Sequence, residues 1–122
     1  MQRITLITPP GHETSPIKAK YCDTFFSQFE GLMFQKRIGE HEGILLVNGH
    51  ESRLESSIHM FFMNFNIAVI WLDANFKVVD TCLAKPWRPY YSSSQPARYV
   101  LETYPDRLND FKIGDKVTIK DE

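Results

Sequence analysis

Between residues 58 and 83 the chain consists of short runs rich in aromatic and β-branched residues: 58–65, Ile67–Leu72 and 76–83. Asp73-Ala74-Asn75 joins the last two. Runs this short, bounded by turn residues, predict paired strands rather than helices. The same grammar recurs along the chain. Residues 3–8 alternate as a strand does, and 43–47 form an apolar run that Asn48-Gly49, a strong hairpin signal, should stop. Residues 98–103 and 116–120 predict two further strands, the last entered through Gly114-Asp115. Pro9, Pro10, Gly11 and Pro16 make a loop that cannot hold a ladder.

Helical spacing appears at two places. Phe25, Phe29, Leu32 and Met33 repeat as one helix face, with Asp23 or Thr24 placed as the N-cap. Pro105 opens a short helical turn that directs Leu108 and Phe111 inward. The expectation is a mainly β, small single-domain fold of β-sandwich or barrel-like type with one or two short helices. It occupies residues 1–122 as one domain, since 122 residues fall inside the usual range of roughly 100–200.

Charge and composition narrow the function classes. Fourteen basic side chains against fifteen acidic ones leave no net field to draw in nucleic acid or anionic lipid. Hydrophobic residues at 43% and charged ones at 24% exclude a disordered chain. No apolar stretch reaches the roughly 20 residues a membrane helix needs, and no signal peptide is visible, so a cytoplasmic location is expected. Cys22 and Cys82 are too few and too far apart for a disulfide framework, and their apolar surroundings suggest inert thiols. No P-loop or dinucleotide-binding glycine motif occurs, and no cofactor is expected.

Residues 81–101 contain no Asp or Glu but carry Lys85, Arg88 and Arg98 beside Trp87, Tyr90, Tyr91 and Tyr99. Three prolines and Ser92-Ser93-Ser94 mark the middle of this stretch as a loop. Flat aromatic faces stack on sugars or bases, and the cations can hold an anionic group. The plainer account is a surface loop whose rings pack back over the core.

His59 stands among Met60, Phe61, Phe62 and Met63. On a strand, His59 and Met63 share a face, and imidazole with thioether is a weak possibility for a soft metal ion. Methionine among aromatics is far more often filler, and a lone histidine is more often structural. His12, His41 and His50 sit beside glycines in predicted loops and form no ligand spacing. Glu102 ends a strand on the face of Val100, so its carboxylate should be paired, with Arg98 or His59 as the available partners. Ser92 or another serine with His59 and a carboxylate would be needed for a hydrolase, but there is no nucleophile elbow.

The order of motifs carries a resemblance. Gly31-Leu32-Met33-Phe34 is followed by Gly43-Ile44-Leu45-Leu46-Val47 and by His59-Met60-Phe61-Phe62-Met63. Then come residues 67–73, Tyr91-Ser92, Pro96-Ala97, Tyr99-Val100-Leu101-Glu102 and Gly114-Asp115. This set resembles the family called domain of unknown function 192, in register from about residue 20 to the C-terminus. The resemblance implies a small, mainly β domain with an early helix, in a bacterial and archaeal family with many exported members. It implies no substrate, cofactor or catalytic role.

The chain departs from that family's pattern at Gln35, where a basic residue is usual, and at Asn64, Asn66, Ile67 and Ala68. Ala68 replaces the usual carboxylate, which argues against an enzyme. The expected function is therefore a non-catalytic ligand- or partner-binding β domain whose partner is an unidentified small molecule or protein. Trp87, Arg88, Tyr91, Ser92, His59 and Glu102 are the candidate site residues. The alternative is a hydrolase-like or metal-assisted enzyme centred on His59 and Glu102.

Overall fold

In the computed structural model, which describes residues 4–11, 15–22, 38–54, 56–58, 60, 63–88 and 90–121, seven strands form a single sheet. They are β1 (Ile4–Thr8), β2 (Ile17–Cys22), β3 (Glu42–Ser52), β4 (Ile67–Leu72), β5 (Val78–Ala84), β6 (Ala97–Thr103) and β7 (Thr118–Asp121). The order across the sheet is β5-β4-β6-β3-β2-β1-β7, and every pair is antiparallel except β2 with β3. A parallel pair needs a long return connection, here residues 23–41. The helix expected near 23–35 lies in that connection, outside the described residues.

The mainly β expectation holds, with the barrel description fitting loosely. The ladder is open, and its end strands approach one another only where the chain enters them. There Lys77 bridges Lys116, and Phe76 to Val78 exchange three backbone hydrogen bonds with Gly114 to Val117. A 3-10 helix, Pro105–Asp110, begins with proline and delivers Phe111 into the core as its spacing predicts.

Strand β4 explains why the run Ile67–Leu72 has no polar alternation: all six residues are buried. Ala68, Ile70 and Leu72 join an inner cluster with Ile7, Leu45 and Leu101. Ile67, Val69 and Trp71 join an outer cluster with Ile44, Val100 and Met60. A strand buried on both faces reads as a continuous apolar run. Both clusters together are what the chain has instead of a second sheet.

Two local expectations fail. Asn48-Gly49 does not turn the chain, because β3 continues to Ser52. Gly49 is not among the positive-φ residues, so the conformation a tight hairpin demands is absent, and the register against β6 slips between Val47 and Ser52 instead. His50 accordingly lies on β3 rather than in a loop. Residues 58–65 form no strand in their described part. Only Ile58 makes a bridge, and Met63 N–H turns back to the Met60 carbonyl.

Arg107 fastens the lower end of the sheet. Its guanidinium is buried and reaches the Asp110 carboxylate at 2.5 Å, the Glu40 carbonyl at 2.8 Å and the Ser15 carbonyl. Side chains also occupy amides in and beside β5. Asp80 Oδ1 accepts from Thr81 N–H and its Oδ2 from Ser94 N–H, while the Tyr91 hydroxyl accepts from Lys85 N–H.

Candidate functional site

The outer face of β3, β4 and β6 is covered by chain from two loops. Ile58 and Tyr91 exchange both backbone hydrogen bonds at 2.9 Å, Met60 N–H donates to Arg88 O at 2.8 Å, and Trp87 N–H to Met60 O at 2.7 Å. These four bonds tie Ile58 and Met60 to Trp87, Arg88 and Tyr91 as a short ribbon. Trp71 anchors it from below, its indole Nε1–H donating to Ser56 O at 2.8 Å. Ile58, Met60 and Met63 are buried against Val69, Trp71 and Val100, which holds the ribbon by apolar contact.

The ribbon separates the predicted aromatic residues into two kinds. Trp87 and Tyr90 are 54% and 57% exposed, and Arg88 and Lys85 are exposed beside them. Trp87 holds φ at 66°, a left-handed backbone that a bulky residue rarely adopts without help from its surroundings. Tyr91 differs from its expected role. It is half-buried, packs on the outer cluster and commits its hydroxyl to Lys85 N–H at 3.0 Å, so its ring face supports the ribbon. Tyr90, quoted in the basic aromatic stretch but not among the candidate site residues, presents the open ring.

Glu102 lies on the face of Val100, as alternation predicts, with Ile44 and Val69 as its cross-strand neighbours. It is 8% exposed. Burial raises its carboxyl to about 7. The expected pairing is not found among the described residues. Arg98 donates instead to Asn48 O at 3.1 Å and lies over the Tyr99 ring. His59, the other expected partner, lies outside the described residues. Ser92 is half-buried, and no hydrogen bond joins it to Glu102 among the described residues.

Met63 and Met60 both enter the outer cluster, so the strand alternation expected to separate them does not apply. Among the described residues no three His, Cys, Asp or Glu side chains gather as a metal site. Burial, and secondarily the nearby Asp80 carboxylate, pushes the Cys82 thiol up to about 11, so it carries no thiolate at neutral pH. No helix among the described residues is long and apolar enough to cross a membrane.

Known proteins share this architecture. A protein of unknown function from Novosphingobium aromaticivorans superposes with a TM-score of 0.80 at 23% identity, covering 94% of this chain and 84% of that one. A Sinorhizobium meliloti protein described as a candidate transcription regulator gives 0.81 at 16% identity, covering 97% and 93%. At these identities the likeness is one of fold.

Sequence relatives are closer. The UPF0127 protein of Pyrococcus horikoshii is 40% identical over 102 residues, 82% of this chain and 85% of its own length. That of Thermococcus sibiricus is 40% identical over 103 residues, again 82% of this chain but 64% of its own length. The chain spans about half the length of the Thermococcus kodakarensis relative, at 52%. The family model for DUF192, described as "Uncharacterized ACR, COG1430", matches residues 6–119, a wider span than the motifs alone outline. This chain belongs to the DUF192 family.

Proposed function

We propose that this chain is a ligand- or partner-binding domain whose contact surface is the exposed edge of the ribbon: Trp87, Arg88 and Tyr90, with Lys85 alongside. One observation carries the reading. Two large aromatic side chains are held out to solvent on a backbone fixed by four hydrogen bonds, so little conformational entropy is left to lose on binding. The cations beside the rings suit a ligand with a flat face and an anionic or strongly polar group. Ser92, the fixed Tyr91 and the buried Glu102 then shape and support that surface. Both cysteines are reduced thiols, which suits the cytoplasmic setting this reading assumes.

The test is a thermal-shift screen of the protein against oligosaccharides, nucleotides and short single strands, repeated on a Trp87→Ala/Tyr90→Ala variant. A ligand at a hundredfold excess over its Kd adds about 2.7 kcal/mol to the stability of the form it binds. The reading requires a compound that raises Tm in the parent and not in the variant. An equal rise in both places the contact elsewhere on the molecule.

A second reading, a hydrolase-like or metal-assisted enzyme centred on His59 and Glu102, is favoured by the Glu102 carboxyl, which is poised for proton transfer near neutrality. It requires turnover of generic ester or phosphoester substrates that follows an ionisation near pH 7 and disappears in Glu102→Gln.

A further inference from the structure

We propose that Lys77 and Lys116, opposed across the seam that joins the two ends of the sheet, form a binding site for a phosphoryl group. The site uses none of the residues of the aromatic ribbon, and it stands or falls independently of the binding reading above.

The backbone fixes the pair. Val117 N–H donates to Phe76 O at 2.9 Å and Val78 N–H to Asp115 O at 2.8 Å. Lys77 and Lys116 therefore face each other as a bridge flanked by hydrogen bonds rather than joined by them. In antiparallel chains this is the closer kind of pair, with Cβ atoms about 4.5–5.5 Å apart. Val78 and Val117 lie in the inner cluster, so alternation turns both lysine side chains to the outer face, where both are exposed. The Lys77 backbone is tied on both sides. Its N–H donates to Asp73 Oδ1 at 3.0 Å and its carbonyl accepts from Asp73 N–H at 3.0 Å. The preceding Phe76 is held at φ 63° with its ring against Tyr99.

Like charges directly opposite one another destabilise a sheet unless a counter-charge is at hand. The carboxylates of the neighbouring turns have other work. Asp73 accepts from the amides of Asn75 and Lys77, Asp115 from that of Lys112, and Glu51 from that of Ala74. Among the described residues neither Lys77 nor Lys116 forms an ion pair. Further along the chain, Thr118 and Lys120 share the face of Lys116 and are also exposed. Asp121 falls on the opposite face by the same alternation, with Val117 and Ile119.

The group that completes this arrangement is an anion, and the charge count selects its class. A carboxylate brings one negative charge for two opposed cations. A phosphoryl group brings about 1.5–2 at neutral pH, with three acceptor oxygens for the two ammonium groups and the Thr118 hydroxyl. Lysine takes such a group as a point charge, which suits two flexible side chains converging from fixed backbone positions.

Titration of the intact chain with diphosphate at low ionic strength, followed by amide NMR, tests the site against potassium chloride of equal ionic strength. The amides of Lys77, Val78, Lys116 and Val117 should shift and saturate. The Kd should weaken about tenfold in Lys77→Gln and in Lys116→Gln, the loss of one charge-assisted hydrogen bond. Lys20→Gln, which removes an exposed positive charge from β2, should change it by about twofold or less. Without ligand, Lys77→Gln should melt above the parent at low salt, with the gap closing as salt is added. Shifts that never saturate overturn the proposal, and so does equal weakening in Lys20→Gln. A parent that melts at or above Lys77→Gln at low salt also overturns it, because the pair would then hold no repulsion for an anion to relieve. A phosphoserine peptide titrated in parallel identifies the source of the group. Tighter binding than diphosphate assigns it to a modified polypeptide, and weaker binding to a small phosphorylated compound.

Discussion

The inner face of the sheet is filled by side chains that the strands supply to one another, with Phe111 and Val117 entering at the seam. The outer face of β3, β4 and β6 is covered instead by chain that belongs to no ladder, pinned by one indole hydrogen bond and four backbone bonds. The inner face buries only hydroxyls among its polar groups, at Thr5 and Thr103, whereas the outer face carries the buried Glu102 carboxyl beside Val69 and Ile44. The contrast separates two tasks. The inner side is closed by strand packing against strand, and the outer side by a layer fastened at a few named points.

The sharpest break of this comparison is Ile70→Ala on the inner face. Removing a fully buried side chain between strands should cost about 3–4 kcal/mol in a denaturant titration. A loss under 1 kcal/mol would mean that the inner cluster is as yielding as the outer.

Next is Glu102→Gln. Because the folded carboxyl sits near 7, above its ordinary 4.5, the folded state holds the extra proton between those values. Stability of the parent should fall as pH rises through that window, by up to about 3 kcal/mol, and level off above it. The variant should lack this slope and exceed the parent at pH 8. Thermal melts at pH 5.5 and 8 give the sign.

Trp71→Phe removes the donor to Ser56 O, and should cost about 1–2 kcal/mol while lowering protection of the ribbon amides more than that of Leu101. The smallest effect is expected at Tyr90→Ala, an exposed position where stability should change by about 0.5 kcal/mol or less. A larger loss there would show that Tyr90 supports the ribbon as Tyr91 does.

Much of the sheet is legible in residue types. Ile67–Leu72 declares itself by length and by Asp73-Ala74-Asn75, and Pro105 with Leu108 and Phe111 marks the 3-10 helix. The inner strands read well because pleat and burial share one period. The covering layer reads badly because its apolar residues follow no period. Residues 58–65 carry strand-like side chains, yet Met60 and Met63 are buried in the same cluster through a turn.

Asn48-Gly49 has the dipeptide of a hairpin, but a partner strand on β6 continues past it and keeps the chain extended. β2 gave no clear signal, because Lys18 and Lys20 alternate with residues too few to define a face. For the site, alternation places Glu102 on the correct face, but whether a partner meets it is a tertiary fact. The division of labour between Tyr90 and Tyr91 is equally invisible, since two adjacent tyrosines differ only in which way the ribbon turns them.

The amides along the outer rim of β5 have one further consequence. Residues 81, 83 and 85 share an orientation in the pleat, and the first and last of their N–H groups are already taken, by Asp80 and by the Tyr91 hydroxyl. At the other end Val78 is bonded to Asp115 and Gly114. A second molecule seeking to extend the sheet meets an interrupted row of donors and a carboxylate in its path. Crowded solutions of this β-rich chain are therefore protected at that rim from edge-to-edge growth into fibres, and the protection comes from side chains that also fasten the neighbouring loop.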